Sequence, residues 1–168
     1  MTTPLPFDPI AEATRLWRAN GWEDAADGMA VVTSLMRAQA IVQARVDDAL
    51  RPLGLTFARY ELLMLLSFTR TGRLPMTKAG ARLQVHPASV TNAATRLEAA
   101  GLVVRRPDPA DGRGVLVEIT DAGRAVADKA TGALNEQVFG RSQMTSPGML
   151  TLVETLRELR RDAGDFDG

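Results

Sequence analysis

The apolar positions of this chain recur mostly at three- and four-residue spacing, which predicts a largely helical protein. Ile10, Ala13, Leu16 and Trp17 share one face of a helix over Asp8–Ala19, with Glu12, Arg15 and Arg18 opposite and Asn20-Gly21 as a stop. Val32, Leu35, Met36, Val42, Val46 and Leu50 define a long helix over Asp27–Leu50, which ends at Pro52 and Gly54. Thr56 is placed to cap a third helix over Phe57–Phe68, and its nearly unbroken apolar centre predicts burial on most sides. Gly72 and Pro75 then read as a loop.

The segment 76–118 is the informative one. Thr77–Leu83 predicts a short helix with Ala79, Ala81 and Leu83 as small packing residues, and Gln84-Val85-His86 a tight connection. Pro87 restarts the chain as a helix at its first position, where a missing N–H costs nothing. In that helix Val90, Ala93, Ala94 and Leu97 face inward, while Ala88, Thr91, Asn92 and Thr95 share the opposite face, flanked by Ser89 and Arg96. A solvated face favours Glu and Lys, so short, polar, uncharged side chains suit a surface that touches something. Gly101 ends the helix, and Leu102–Arg106 and Val115–Ile119 are β-rich runs around the turn formers Pro107–Gly114, predicting a hairpin with a long exposed tip. A helix, a turn, a helix and a β-hairpin make a winged helix-turn-helix. Thr120 or Asp121 opens a helix over Ala122–Phe139 with Val126, Ala130, Leu134 and Val138 in step. Ser146-Pro147 opens the last, over Gly148–Arg161, with Leu152, Val153, Leu156 and Leu159 expected inward.

The fold class is thus mainly α, a winged helix-turn-helix over 55–120 between dimerisation helices at 1–54 and 121–168. The apolar stripes of the terminal helices carry the expectation of a homodimer, because end helices this hydrophobic need a partner.

Composition removes other classes. The 168 residues are 45% hydrophobic and 24% charged, the balance of a globular protein. No cysteine and one histidine, His86, rule out disulfides, thiolate metal sites and imidazole clusters, so no metal and no cofactor are expected. Leu62–Leu66 is the longest run of large apolar residues, against the roughly 20 that span a bilayer. The first nine residues have neither a basic nor an apolar region of a secretory signal, so a cytoplasmic protein with no membrane partner is expected. No Gly-rich phosphate loop and no nucleophile–base set is present, and Asp47 and Asp48 diverge by about 100° on a helix, so an enzyme is not expected. Formal net charge is zero, yet Arg70–Gly114 holds eight basic residues against three acids and the rest of the chain is correspondingly acidic. A basic module in an acidic frame points to a nucleic-acid partner. Near-neutral overall charge keeps one alternative open, a dimeric winged-helix module that reads protein rather than a specific DNA target.

Several pieces together resemble the MarR family of bacterial transcriptional regulators. They are Leu55–Glu61, Ser89-Val90-Thr91-Asn92, Arg96-Leu97-Glu98 followed by Gly101-Leu102-Val103, Asp108-Pro109-Ala110-Asp111-Gly112-Arg113, and Thr120-Asp121-Ala122-Gly123. The resemblance spans about 27–161 and implies a homodimer whose two winged domains reach successive major grooves of a palindromic operator, typically as a repressor relieved by a ligand. Candidate DNA contacts are Thr77, Pro87, Ala88, Ser89, Thr91, Asn92, Thr95, Arg96, Arg105, Arg106, Asp111 and Arg113. Asn to adenine and Arg to guanine are the favourable bidentate pairs. The resemblance places Arg113 in a minor groove, where narrow A·T tracts concentrate negative potential, with Asp111 to orient it or a neighbour. It also places His86 where the family often has a capping Ser, in a structural or phosphate-contacting role.

Trp17 on an extra N-terminal helix resembles the urate-responsive branch of that family. Trp17 and Arg105 match, Glu61 stands for the branch's acid, and Ala93 replaces an Arg. The ligand residues this implies are Trp17, Tyr60, Glu61 and Arg105. With a cation lost, the expected effector is a small aromatic or anionic molecule other than urate, in the cleft between the dimer helices and the winged domain. Trp17 fits helix packing equally well, and Arg105 fits a phosphate contact.

Overall fold

The computed structural model describes residues 4–109, 111–141 and 144–166, with the backbone alone at Pro87, Gly112 and Arg113. The described elements are α1 (Pro9–Ala19), α2 (Glu23–Leu50), α3 (Phe57–Ser67), β1 (Arg73–Pro75), α4 (Met76–Leu83), α5 (Pro87–Ala99), β2 (Val103–Asp108), β3 (Asp111–Ile119), α6 (Asp121–Gln137) and α7 (Ser146–Asp162). Two compact units divide them, Met1–Arg45 and Val46–Gly168.

Helix starts follow side-chain caps. Asp8 accepts from the Ile10 N–H at 2.9 Å, Thr120 from Gly123 at 3.0 Å and Thr145 from Gly148 at 3.3 Å. Thr56 likewise accepts from the Arg59 N–H at 3.4 Å, each such cap contributing about 1 kcal/mol. In the first unit α1 and the start of α2 meet through the edge-on Trp17–Trp22 pair, centroids 5.0 Å apart, and an Arg18–Asp27 ion pair of 2.6 Å.

The second unit has one continuous core. Leu50 closes it from the end of α2, Leu62, Leu63 and Leu66 from α3, Val90, Ala94 and Leu97 from α5, Val103 and Val117 from the hairpin, and Ala127, Ala130 and Leu134 from α6. Each fully buried Leu is worth roughly 1.5–3 kcal/mol of transfer free energy, so this cluster carries the winged domain.

Three expectations change. Arg73–Pro75, expected as loop, is a strand: it pairs antiparallel with β3 through Arg73↔Glu118, Leu74↔Val117 and Pro75↔Leu116, giving the sheet order β1-β3-β2. Proline is tolerated there because β1 is an edge strand. The hairpin tip is short, since the ladder runs from Val103↔Ile119 to Asp108↔Asp111 with one irregularity at Pro107/Asp108. Turn-forming residues in the strands were read as loop; cross-strand pairing overrides their local preference. Finally, the apolar side of α7 is not inward in this chain. Leu152, Val153 and Leu159 are exposed, as are Val31, Val32, Met36, Ile41 and Val42 on α2, because no described element covers them. Ala81 of α4 is also exposed, beside buried Ala79.

Candidate nucleic-acid interface

α4 and α5 form the helix-turn-helix. Buried Ala79 and Gly80 let the helices close: a Cβ on Gly80 would lie 3.6 Å from a Val90 methyl. Gln84 ends α4 in the left-handed region at φ 52°, a position more often filled by Gly, and its side-chain amide donates to the Asp165 carbonyl oxygen. His86 is the cap of α5, its Nδ1 accepting from the Ala88 N–H at 3.2 Å. Imidazole here takes the role usually given to Ser, Thr or Asp.

The two faces of α5 separate as the pattern predicted. Val90, Ala93, Ala94 and Leu97 are buried, and Ala88, Ser89, Thr91, Asn92, Thr95 and Arg96 are exposed. Thr95 donates its hydroxyl proton to the Thr91 carbonyl at 2.9 Å, so toward a partner it acts as an acceptor. Thr77 stands exposed at the start of α4. The wing is anchored at its base by Thr120, which donates to the Gly101 carbonyl at 2.8 Å while capping α6. A Cβ on Gly123 would fall 2.1 Å from the Leu102 carbonyl oxygen, so only glycine fits that junction.

A groove lies on each flank of α5. One, about 310 Å³, is lined by Thr77, Thr91, Arg105, Asp108, Asp111 and Gly114 among others. The other, about 540 Å³, is lined by Thr56, Ala58, Arg59, Ser89, Asn92, Ala93 and Arg96. Arg59 and Thr56 are additions to the expected set. Their signal in the sequence is a Thr-x-x-Arg at a helix start, which puts the guanidinium over its own cap.

The strand arginines are engaged within the protein. Arg105 donates through Nε to Glu98 at 2.7 Å and through its backbone N–H at 3.1 Å, which holds the Glu98 carboxyl below the usual carboxylate range. Arg106 pairs with Glu118 at 3.3 Å. Exposed pairs of this kind contribute little, so phosphate oxygens compete for them readily. The Arg113 side chain lies outside the described residues.

The residues expected around a small ligand are spread over both units. Trp17 sits in the first, against Trp22. In the second, Tyr60 is buried with its hydroxyl 3.1 Å from that of Thr131 on α6, and the neighbouring half-buried Glu61 has its carboxyl pushed up by desolvation. Arg105 lines the groove beside Thr91, a groove to which neither Tyr60 nor Glu61 contributes.

A helix-turn-helix whose second helix presents a short polar face, backed by a three-stranded wing, defines a winged-helix nucleic-acid-binding protein. Residues 53–114 match the MarR family model. An HTH-type transcriptional repressor of Mycobacterium tuberculosis is 30% identical over 131 residues, covering 76% of this chain and 91% of the relative. The crystal structure of a MarR family transcriptional regulator from Streptomyces coelicolor is similar at 48% identity and TM-score 0.76, over 84% of this chain and 99% of that one. A second Streptomyces coelicolor MarR family regulator, solved in complex with DNA, matches at 28% identity and TM-score 0.69, over 79% and 85% of the two chains. The chain belongs to the MarR family: it is a DNA-binding transcriptional regulator and not an enzyme.

Proposed function

We propose that the protein acts in the cytoplasm as a homodimeric repressor of a palindromic operator and that a small aromatic or anionic effector relieves the repression. The observation that carries this reading is the exposed face of α5, where Ser89, Thr91, Asn92 and Thr95 stand over a fully packed inner face. Such a helix enters a major groove without repacking. Asn92 is suited to adenine and Arg96 to guanine, while Thr77, Ser89, Thr91 and Thr95 reach phosphates or base edges. The small start at Pro87-Ala88 brings backbone close to backbone. Arg105, Arg106 and Arg113, with Asp111, serve the wing's contact with the adjacent minor groove.

Dimerisation is supported by the uncovered apolar side chains of α2 and α7, which a second copy would bury. Two winged domains about 34–36 Å apart would then meet successive major grooves. The half-buried Glu61 and the Tyr60 beside it supply polar groups for an effector that prefers a conformer with different spacing; only differential affinity shifts that equilibrium.

The test is fluorescence anisotropy of the full chain against its own upstream intergenic duplex and a scrambled control at two salt concentrations. Tight, sequence-dependent binding with a steep salt slope is expected. Equal, weak binding to both duplexes would overturn the operator reading and favour a protein partner.

A further inference from the structure

We infer that the groove between α3 and α5 is a phosphate seat, in which Arg59 and Arg96 hold the DNA strand on the flank of the recognition helix away from the wing. The inference rests on the DNA-binding reading above and assigns to it a residue, Arg59, outside the recognition helix and the wing.

A helix lying in a major groove about 12 Å wide has a phosphate backbone on each side, so both flanks must present counter-charge. The two flanks of α5 differ in how they do so. On the wing side, Arg105 shares its groove with the carboxylates of Asp108 and Asp111 and is bonded to Glu98. On the α3 side, Arg59 and Arg96 share theirs with Thr56, Ser89 and Asn92, and no carboxylate lines it. Among the described residues, no acid forms an ion pair with either arginine. The stronger local field for a polyanion is therefore on the flank opposite the wing.

Arg59 is also held in place. Its Nε donates to the Thr56 hydroxyl at 3.2 Å and one terminal nitrogen to the Gly54 carbonyl at 2.9 Å, and the residue is half-buried. Both acceptors are neutral, so the full positive charge remains, and the other terminal nitrogen keeps its donors for a partner. Ordering a long side chain costs conformational entropy, and here the fold has already met most of it. The groove opens beside Ser89 and Asn92, so a phosphodiester seated there fixes the register of the reading face. Its only apolar lining is two alanines, which gives an aromatic effector little to pack on.

The experiment measures anisotropy of the full-length protein and its Arg59→Ala, Arg59→Lys and Arg96→Ala variants on the upstream and scrambled duplexes between 50 and 300 mM KCl, with melting temperatures alongside. Arg59→Ala is expected to weaken both duplexes by the same factor, about tenfold, and to lower the log–log salt slope by about 0.9. Arg59→Lys, which keeps the charge and loses the fork, is expected to restore the slope. An unchanged slope in Arg59→Ala, or a loss confined to the upstream duplex, would overturn the proposal. So would Arg59→Lys failing like Arg59→Ala with an equally lowered melting temperature, because Arg59 would then only brace the Gly54–Thr56 turn. Calorimetric titration with inorganic phosphate separates the sources: saturable binding lost in Arg59→Ala, with the salt slope intact, would assign the groove to a free anion instead. If the unmodified protein binds neither duplex in a salt-dependent way, the DNA reading fails and this inference with it.

Discussion

The winged domain and the terminal helices solve the same problem in opposite ways. Both are amphipathic throughout, but the apolar sides of α3, α5 and α6 close on one another, while α1 and α7 bury no residue fully. α2 joins the two regimes: its last turn delivers Val46, Ala49 and Leu50 to the core, and its middle exposes Val32, Met36 and Val42. The difference shows what each part is for. A recognition helix must be held rigid by its own chain, since base readout tolerates little displacement. Helices that set the spacing of two such domains leave their apolar sides for a second copy.

The largest effect should come from breaking the closed half. Leu63→Ala removes a side chain with no solvent exposure and is expected to cost about 2–5 kcal/mol, read as a lowered midpoint in chemical denaturation. A charge on the open half should leave the winged core standing. Val153→Glu combined with Val32→Glu is expected to halve the mass seen by light scattering at micromolar concentration and to weaken operator binding by about 100-fold, because two half-sites are then engaged independently. A doublet that stays dimeric would remove the basis of the comparison.

Smaller changes sharpen it within the winged domain. Glu98→Ala releases Arg105 and is expected to tighten DNA binding by about threefold, with a salt slope steeper by up to about 0.9. Arg105 holds the Glu98 carboxyl below its ordinary value, so the pair persists at neutral pH and is lost only as pH falls through that lowered range. The two proteins should therefore converge in acid. Glu61 has the opposite sign. Burial raises its pKa, so folding is favoured while the carboxyl is protonated, and that advantage disappears as pH rises through the raised value. Glu61→Gln is expected to raise the melting temperature at pH 7 by no more than about 2 °C and to have no effect below pH 4.

Much of this was legible from residue order. The inner face of α5, Val90, Ala93, Ala94 and Leu97, is buried as its spacing requires, and Thr120 caps α6 where a cap was expected. Boundaries drifted where neighbours decided them: α2 begins at Glu23 rather than Asp27, and the hairpin strands absorb residues that favour turns. β1 was illegible, because a three-residue edge strand has no periodicity and exists only through its pairing with β3.

Local sequence thus determined which segments become helices, where they start, and which chemical groups face outward on the recognition helix, since periodicity and capping act within a few residues. Tertiary structure decided what those groups are free to do. Arg105 and Arg59 look alike in a string of letters; one folds against the carboxylate of Glu98, seven residues before it, and the other onto neutral oxygens of its own turn. Electrostatics depends on distance in space, and only the packed chain sets those distances.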